Sequence, residues 1–490
     1  MKTRVTQSFI SGMLAMLLGA SPLYAQESDS TPPTTNGQEI QNQPVELPSM
    51  EKEVQDKLAS LKESAEQGDL QAMCELWMRY DARQNAEQSS FWGHRYVSSL
   101  TKKAEDGDIN SMIELGKLYY LGSSLYPKNL ETSRSWYAKA AEAGDPAAQL
   151  MLAKMLSSGI GGDSNLPKSY EWASKALETY EKRAESGDGQ AALWVFLIHE
   201  KGLTGQQNSI VAFPFLVKAA ELNDLQAQTL LALKYKEGTP QLAQNLTEAV
   251  KWFEKAANQK DMGAIMEVGL AYRDGLGVDK DLAKAQSWFE QGSKLGDPYA
   301  MTALAKLYIA DDSQPENMGK AINLLQKVAD IGEIEGSLLL AELYETGKAG
   351  EQDSDKAYAI LRRMVDTSSN PHPKAIVQLA TLCYAKDEEE QGDSLMKRAA
   401  NMGYVPAIYE VAKGHLNPFS SFTWNPVVSY YYLEAADELG DPDAKLYANL
   451  LLYGGVGFIV LICALLVWRF HRFAKRKSAE MDAMEKDKTK

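Results

Sequence analysis

A short phrase returns down this chain at a nearly constant interval, each copy an Ala-rich stretch closing on Gly-Asp: AEQGD (65–69), AEDGD (104–108), AEAGD (141–145) and AESGD (184–188). Looser copies follow as AELND, ANQKD, SKLGD, ADIGE, ANMGY and ADELGD. With the Gly of each phrase as phase zero, the marks fall at Gly68, Gly107, Gly144, Gly187, Asn223, Lys260, Gly296, Gly332, Pro371, Gly403 and Gly440, spaced 32 to 43 residues apart. A period of that size builds a solenoid, because no single unit can bury its apolar face alone. The chain is committed to an extended surface rather than to a fold around one catalytic cleft.

The clearest unit spans 262–297. Ala264, Val268 and Tyr272 stand four apart and share one helical face. Asp274-Gly275-Leu276-Gly277 then breaks the helix, since Gly supplies the positive φ that a helix C-terminus favours. Asp279 and Asp281 are candidate caps for a second helix carrying Ala285, Trp288 and Phe289. Gly296-Asp297 ends that helix, and Pro298 suits the first turn of the next. Each repeat is therefore read as a helix–turn–helix pair.

Three positions keep this register. Twelve residues after phase zero stand Tyr80, Tyr119, Leu156, His199, Tyr235, Tyr272, Tyr308, Tyr344, Cys383 and His415. Nine after it the residue is small at Gly116, Ala153, Ala232, Gly269, Ala305, Ala341, Ala380 and Ala412, which lets the paired helices approach. Eight before the next mark lie Trp136, Phe215, Trp252, Trp288, Leu324, Leu395 and Tyr432. The pattern resembles the Sel-one-like repeat family, a relative of the tetratricopeptide repeats. The resemblance rests on Ala264, Val268, Gly269, Tyr272, Gly275, Gly277, Val278, Asp281, Lys284, Ala285, Trp288, Phe289 and Gly296-Asp297, and covers about 51–448. It implies an all-α, right-handed superhelical solenoid of about ten helix pairs that acts as an adaptor in complex assembly, commonly at an envelope or the ER membrane.

The breaks in the pattern supply candidate contacts. Trp77 and Phe196 occupy the position that is otherwise small, so each ring is expected to splay its helix pair or turn outward. Unit one has Ser99 where others carry the second-helix aromatic, which suits a terminal cap. Pro214, within Phe213-Pro214-Phe215, interrupts the hydrogen-bond ladder of its helix, which marks either a change of curvature near 190–216 or a degenerate repeat that still packs. Phe91, Trp92, Phe419, Phe422 and Trp424 fall outside every core phase. Such rings cover a local core, dip into a membrane interface or meet a partner. The candidate partner contacts are thus Trp77, Trp92, Phe196, Phe419, Phe422 and Trp424. His199 and His415 hold the aromatic phase and read as satisfied core histidines, and Cys383 reads as a small buried hydrophobe.

The ends set the topology. Residues 1–25 read as a signal peptide, with Lys2 and Arg4, a short apolar core from Phe9 to Ala20, and Leu23-Tyr24-Ala25 at the cleavage site. Residues 26–50 read as a disordered leader. The uncharged run over 449–468 is long enough to cross a bilayer. Arg469, Arg472, Lys475, Arg476 and Lys477 follow at once, and positive residues stay cytoplasmic, so the repeats lie outside the cytoplasm and the tail at 469–490 inside. The formal net charge of −15 disfavours nucleic acid. Cys74 and Cys383 lie about eight repeats apart, which argues against a disulfide, and no metal or cofactor spacing exists.

No phosphate loop, H-E-x-x-H or G-x-S-x-G occurs, so an enzyme is not expected. Asp311-Asp312 and the run from Asp387 to Glu390 are read as solvated turns. The leading expectation is a membrane-tethered adaptor whose exported solenoid binds protein partners in the cell envelope. Two alternatives stand beside it: a binder of wall or exopolysaccharide chains through the off-phase aromatics, and a sensor signalling through the single membrane helix. The short leader and compact chain favour a bacterial inner membrane with periplasmic repeats; the alternative is an ER membrane with luminal repeats.

Overall fold

A computed structural model describes residues 47–448, apart from 240–241, 312–313, 315, 349, 417–424, 442 and 446. Two compact units divide between Gln259 and Lys260. In the first, a leading helix α1 (Leu47–Glu66) precedes the pairs α2 (Leu70–Ala82) and α3 (Ala86–Glu105), α4 (Ile109–Leu121) and α5 (Leu130–Glu142), α6 (Pro146–Ser158) and α7 (Leu166–Glu185), α8 (Gly189–Lys201) and α9 (Ser209–Glu221), and α10 (Leu225–Glu237) and α11 (Leu246–Asn258). In the second stand α12 (Met262–Asp274) and α13 (Leu282–Lys294), α14 (Pro298–Ala310) and α15 (Glu316–Ile331), α16 (Ile334–Thr346) and α17 (Ser354–Thr367), α18 (Pro373–Ala385) and α19 (Glu389–Asn401), and α20 (Val405–Leu416) and α21 (Pro426–Glu438). The ten expected helix pairs are present. Unit one is not the terminal element, because α1 precedes it and packs Leu58, Leu61 and Ala65 into the first core. That helix also begins inside the segment read as leader.

The recurring phrase is a double cap. Gly144, at φ 96°, turns the chain out of α5, and its amide and that of Asp145 bond back to Ala141 and Ala140 carbonyls. The Asp145 carboxylate then accepts from the Ala148 amide and opens α6. Asp69, Asp108, Asp188, Asp224, Asp261 and Asp297 cap their helices in the same way. One dipeptide closes one helix and starts the next, which is why it recurs.

A second device closes the other turn. The N-cap residue of the second helix donates its amide to the carbonyl of the residue twelve past phase zero: Asn129 to Tyr119, Asn208 to His199 and Asp281 to Tyr272, at 2.8–2.9 Å. In three successive repeats a lysine early in the second helix lies over the same ring, with Lys284 Nζ 4.9 Å from Tyr272, Lys320 5.7 Å from Tyr308 and Lys356 5.2 Å from Tyr344.

The core forms where the small position meets the ring seven before the next mark. A methyl group on Gly116 would fall 2.9 Å from Tyr137, and one on Gly269 would overlap Phe289. Leu100, Tyr137, Tyr180, Leu216, Phe253, Phe289, Leu325, Met396 and Leu433 fill this inner position and all are buried. The expected position eight before the mark is the less buried neighbour, since a step of one residue rotates a helix by about 100°. Most helices have 13 residues, a length marginal in isolation, so packing between them maintains the array.

Among the described residues no helix is long and apolar enough to cross a membrane. The expected signal peptide and the run over 449–468 lie outside the described residues.

Candidate functional site

Three of the proposed contact rings are in the interior. Trp77, on α2, is 7% exposed and meets Tyr126 edge-on at 6.0 Å and Tyr96 at the same distance. It needs no splayed helix pair, because α3 presents Gly93 to it. A methyl group added there would lie 3.0 Å from Trp77 Cε2. Large and small residues have simply exchanged helices. Phe196 is 2% exposed, with the Lys234 ammonium 5.4 Å above its ring and 2.8 Å from Glu200 Oε1. The neighbouring α9 runs unbroken from Ser209 to Glu221 through Pro214, which faces solvent where the carbonyl it frees can be hydrated. The ladder loses the bond that Pro214 cannot donate, yet the helix continues through it.

Trp92 is 3% exposed and belongs to a core phase after all. Its helix α3 has 20 residues where most have 13, so the ring sits one heptad upstream of Ser99, the position at which it was expected. The Arg95 guanidinium lies 5.6 Å from it, as Lys139 lies over Trp136, Lys175 over Trp172 and Lys255 over Trp252, always three residues on. That Trp-x-x-Lys/Arg spacing is visible in the sequence and identifies Trp92 as the missing second-helix aromatic. Its neighbour Phe91 remains exposed. Trp77, Trp92 and Phe196 therefore serve packing and offer no free face to a partner. Phe419, Phe422, Trp424 and the basic residues Arg469, Arg472, Lys475, Arg476 and Lys477 lie outside the described residues.

The histidines behave as rings. His199 stacks on Phe215 at 6.4 Å and 24°, and His415 on Tyr432 at 6.2 Å and 14°. The His199 Nε2 has no hydrogen bond and stands 3.9 Å from Glu181, so this histidine is packed without being fully satisfied. Cys383 is buried and Cys74 partly so, and burial pushes both thiols above the ordinary range. Among the described residues no group of three His, Cys, Asp or Glu is arranged to hold a metal.

The surface with contact chemistry is elsewhere. In the second unit, large apolar side chains stand exposed at the turn from one repeat to the next. Leu295, Ile331, Met402 and Leu439 immediately precede the phase mark, and Met262, Tyr299 and Ile334 open the following helix. Tyr299 is 61% exposed and Ile331 59%. The same position holds Gln67, Asp106, Ala143 and Ser186 before the first four marks, an exposed Leu222 before the fifth and Asn370 before the ninth. None of these side chains belongs to a buried core cluster, so this row is the candidate interaction edge. Register alone did not reveal it, because these residues flank the recurring phrase and never enter the core.

The Sel1 repeat family matches residues 109–145, 146–178, 189–224, 225–261, 263–297, 298–333 and 334–366. No curated protein matches the chain. Among solved structures, a protective antigen of uropathogenic Escherichia coli with an SLR fold is 23% identical over 80% of this chain and 81% of its own, with a TM-score of 0.46. A Sel1 repeat protein from Oxalobacter formigenes is 25% identical over 69% of this chain and 96% of its own, at 0.43. Cysteine rich protein B of Helicobacter pylori is 26% identical over 28% of this chain and 95% of its own, at 0.22. Seven successive matched repeats, together half of the sequence, carry the same double-capped helix pair derived above, and the protein belongs to the Sel1 repeat family.

Proposed function

We propose that the protein is a membrane-tethered adaptor: its repeats bind other proteins and assemble or regulate a cell-envelope complex, while one helix over 449–468 holds them to the membrane. Helical-repeat arrays of this kind generally serve as protein-interaction scaffolds. The row of exposed apolar residues along the turns of the second unit is the observation that carries this reading. Apolar anchors within a largely neutral contact area are where binding energy concentrates. The uncharged run followed by Arg469, Arg472, Lys475, Arg476 and Lys477 supports a bacterial inner-membrane protein with periplasmic repeats and a cytoplasmic tail. The polysaccharide alternative loses support, since Trp92 has no free face on which a sugar could stack.

Crosslinking and pull-down of the full chain from native membranes, beside a Tyr299→Ala/Ile331→Ala/Ile334→Ala variant, tests the reading. A discrete set of envelope proteins, depleted in the variant, is expected. An identical set from both proteins removes the turn edge as the contact surface, and recovery of no protein removes the adaptor reading itself.

A further inference from the structure

The corner between α17 and α18 departs from the rest of the array. Elsewhere two or three residues join one repeat to the next, as at 332–333 and 143–145; here there are five, Ser368 to His372. The left-handed Gly is absent, Pro371 is buried in its place, and the capping atom is the His372 ring nitrogen, which accepts from the Lys374 amide at 3.3 Å. The longer corner opens a cleft of about 470 Å³ against one face of α19. Ser369 and Asn370 line it from the corner, and Ser394, Lys397, Arg398 and Asn401 from the helix. In a chain with 66 acidic residues against 51 basic ones, none of the lining residues is acidic.

The cations alone would carry little weight, because Lys and Arg at helix C-termini complement the helix dipole. Arg398, like Lys327 opposite Leu324, lacks the ring that other residues of its phase cover. Lys139 and Lys255 hold the same phase and lie 3.9 and 3.7 Å from Trp136 and Trp252. In α19 the corresponding position is Leu395, so the guanidinium has no aromatic face to cover. It stands instead at a cleft furnished with hydroxyl and amide donors.

We propose that this cleft binds the oxyanion of a small phosphate monoester, with Arg398 and Lys397 supplying charge and Ser369, Ser394, Asn370 and Asn401 the surrounding hydrogen bonds. A guanidinium matches a phosphate through two parallel donors, and the volume suits a small ligand. Beside it, sharing Ser394, lies a second cleft lined by Asp387, Glu388, Glu389 and Glu390. That neighbour repels extended polyanions and anionic bilayers, and so restricts the site to compact ligands.

Calorimetric titration of the full chain in neutral detergent with glycerol phosphate, and separately with inorganic phosphate, tests the assignment. One saturable site is expected, weakened about tenfold or more in Arg398→Gln and less in Arg398→Lys, which keeps the charge but loses the paired donors. Circular dichroism on both variants checks folding, and the exposed position of Arg398 makes unfolding unexpected. Absence of saturable binding by the wild type, or equal binding by folded Arg398→Gln, overturns the proposal. Arg398-dependent binding to phosphatidylglycerol vesicles that exceeds binding to glycerol phosphate also overturns it, by moving the anion to a bilayer.

Discussion

Trp77 and Gly93 invert the packing used by Gly116 and Tyr137 in the following repeat. In the ordinary arrangement the first helix supplies the small residue and the second the ring; here α2 supplies the ring and α3 the gap. At this crossing the core needs one large and one small residue and is indifferent to which helix carries which; it leaves no room for a second large one beside Trp77.

Gly93→Ala is therefore expected to destabilise the first unit by about 1–3 kcal/mol, the usual cost of overpacking a filled site. The new methyl group would meet the rigid indole at 3.0 Å and the Leu125 side chain, of which only the leucine can move aside. In a Trp77→Leu background the same change should cost much less. Urea unfolding followed by circular dichroism checks both, and equal costs in the two backgrounds would show that the pair is not coupled.

The register of the second helix gives a sharper contrast. Phe289 is fully buried against Gly269 while its neighbour Trp288 is only partly covered. Phe289→Ala should cost about 3–5 kcal/mol. Trp288→Ala should cost distinctly less despite removing the larger side chain. The reverse order in an unfolding series would restore the tryptophan position as the core.

These comparisons also separate what was legible in the sequence from what was not. The helix pairs, their turns and the small position all follow from spacing, because capping and close packing demand particular residues at fixed offsets. Trp92 was misplaced because α3 gained seven residues while the loop before it shrank to Arg83–Asn85, leaving the repeat length almost unchanged. Period counts that sum cannot show which part lengthened; the Trp-x-x-Arg pair does. Trp77 and Phe196 were read as misfits because a one-dimensional pattern does not show what faces a side chain. The exposed turn edge of Leu295, Ile331 and Tyr299 was equally invisible, since exposure depends on which turns the stacked neighbours leave uncovered.

Lys260 holds the phase-zero position at φ 67°, where most repeats place Gly. A side chain in the left-handed region costs about 1–2 kcal/mol relative to right-handed backbone. Glycine avoids that strain but gains freedom in the unfolded chain, which offsets part of the benefit. Lys260→Gly should accordingly raise stability by up to about 1 kcal/mol, read as a higher urea midpoint at unchanged slope. A lower midpoint would mean that the lysine side chain makes a stabilising contact of its own.

Two aspartate caps should respond to pH with opposite sign. The Asp108 carboxylate accepts from the Ser111 hydroxyl and amide, and these bonds hold it below the ordinary carboxylate range. Its stabilisation is present above the unfolded-state value and is lost as pH falls through the lower folded value. Asp297 is 7% exposed, and burial pushes it above that range despite the Tyr299 and Ala300 amides it caps. Its contribution is fully present below the unfolded-state value and is lost as pH rises through the higher folded one. Asparagine caps as well as aspartate but carries no charge. Asp108→Asn should therefore destabilise at neutral pH, with the deficit shrinking on acidification. Asp297→Asn should be neutral or stabilising at neutral pH, and should lose that advantage as the wild-type carboxyl takes up its proton. Unfolding midpoints of both variants from neutral to acidic pH decide the matter, and parallel curves would show that burial of Asp297 does not outweigh its capping bonds.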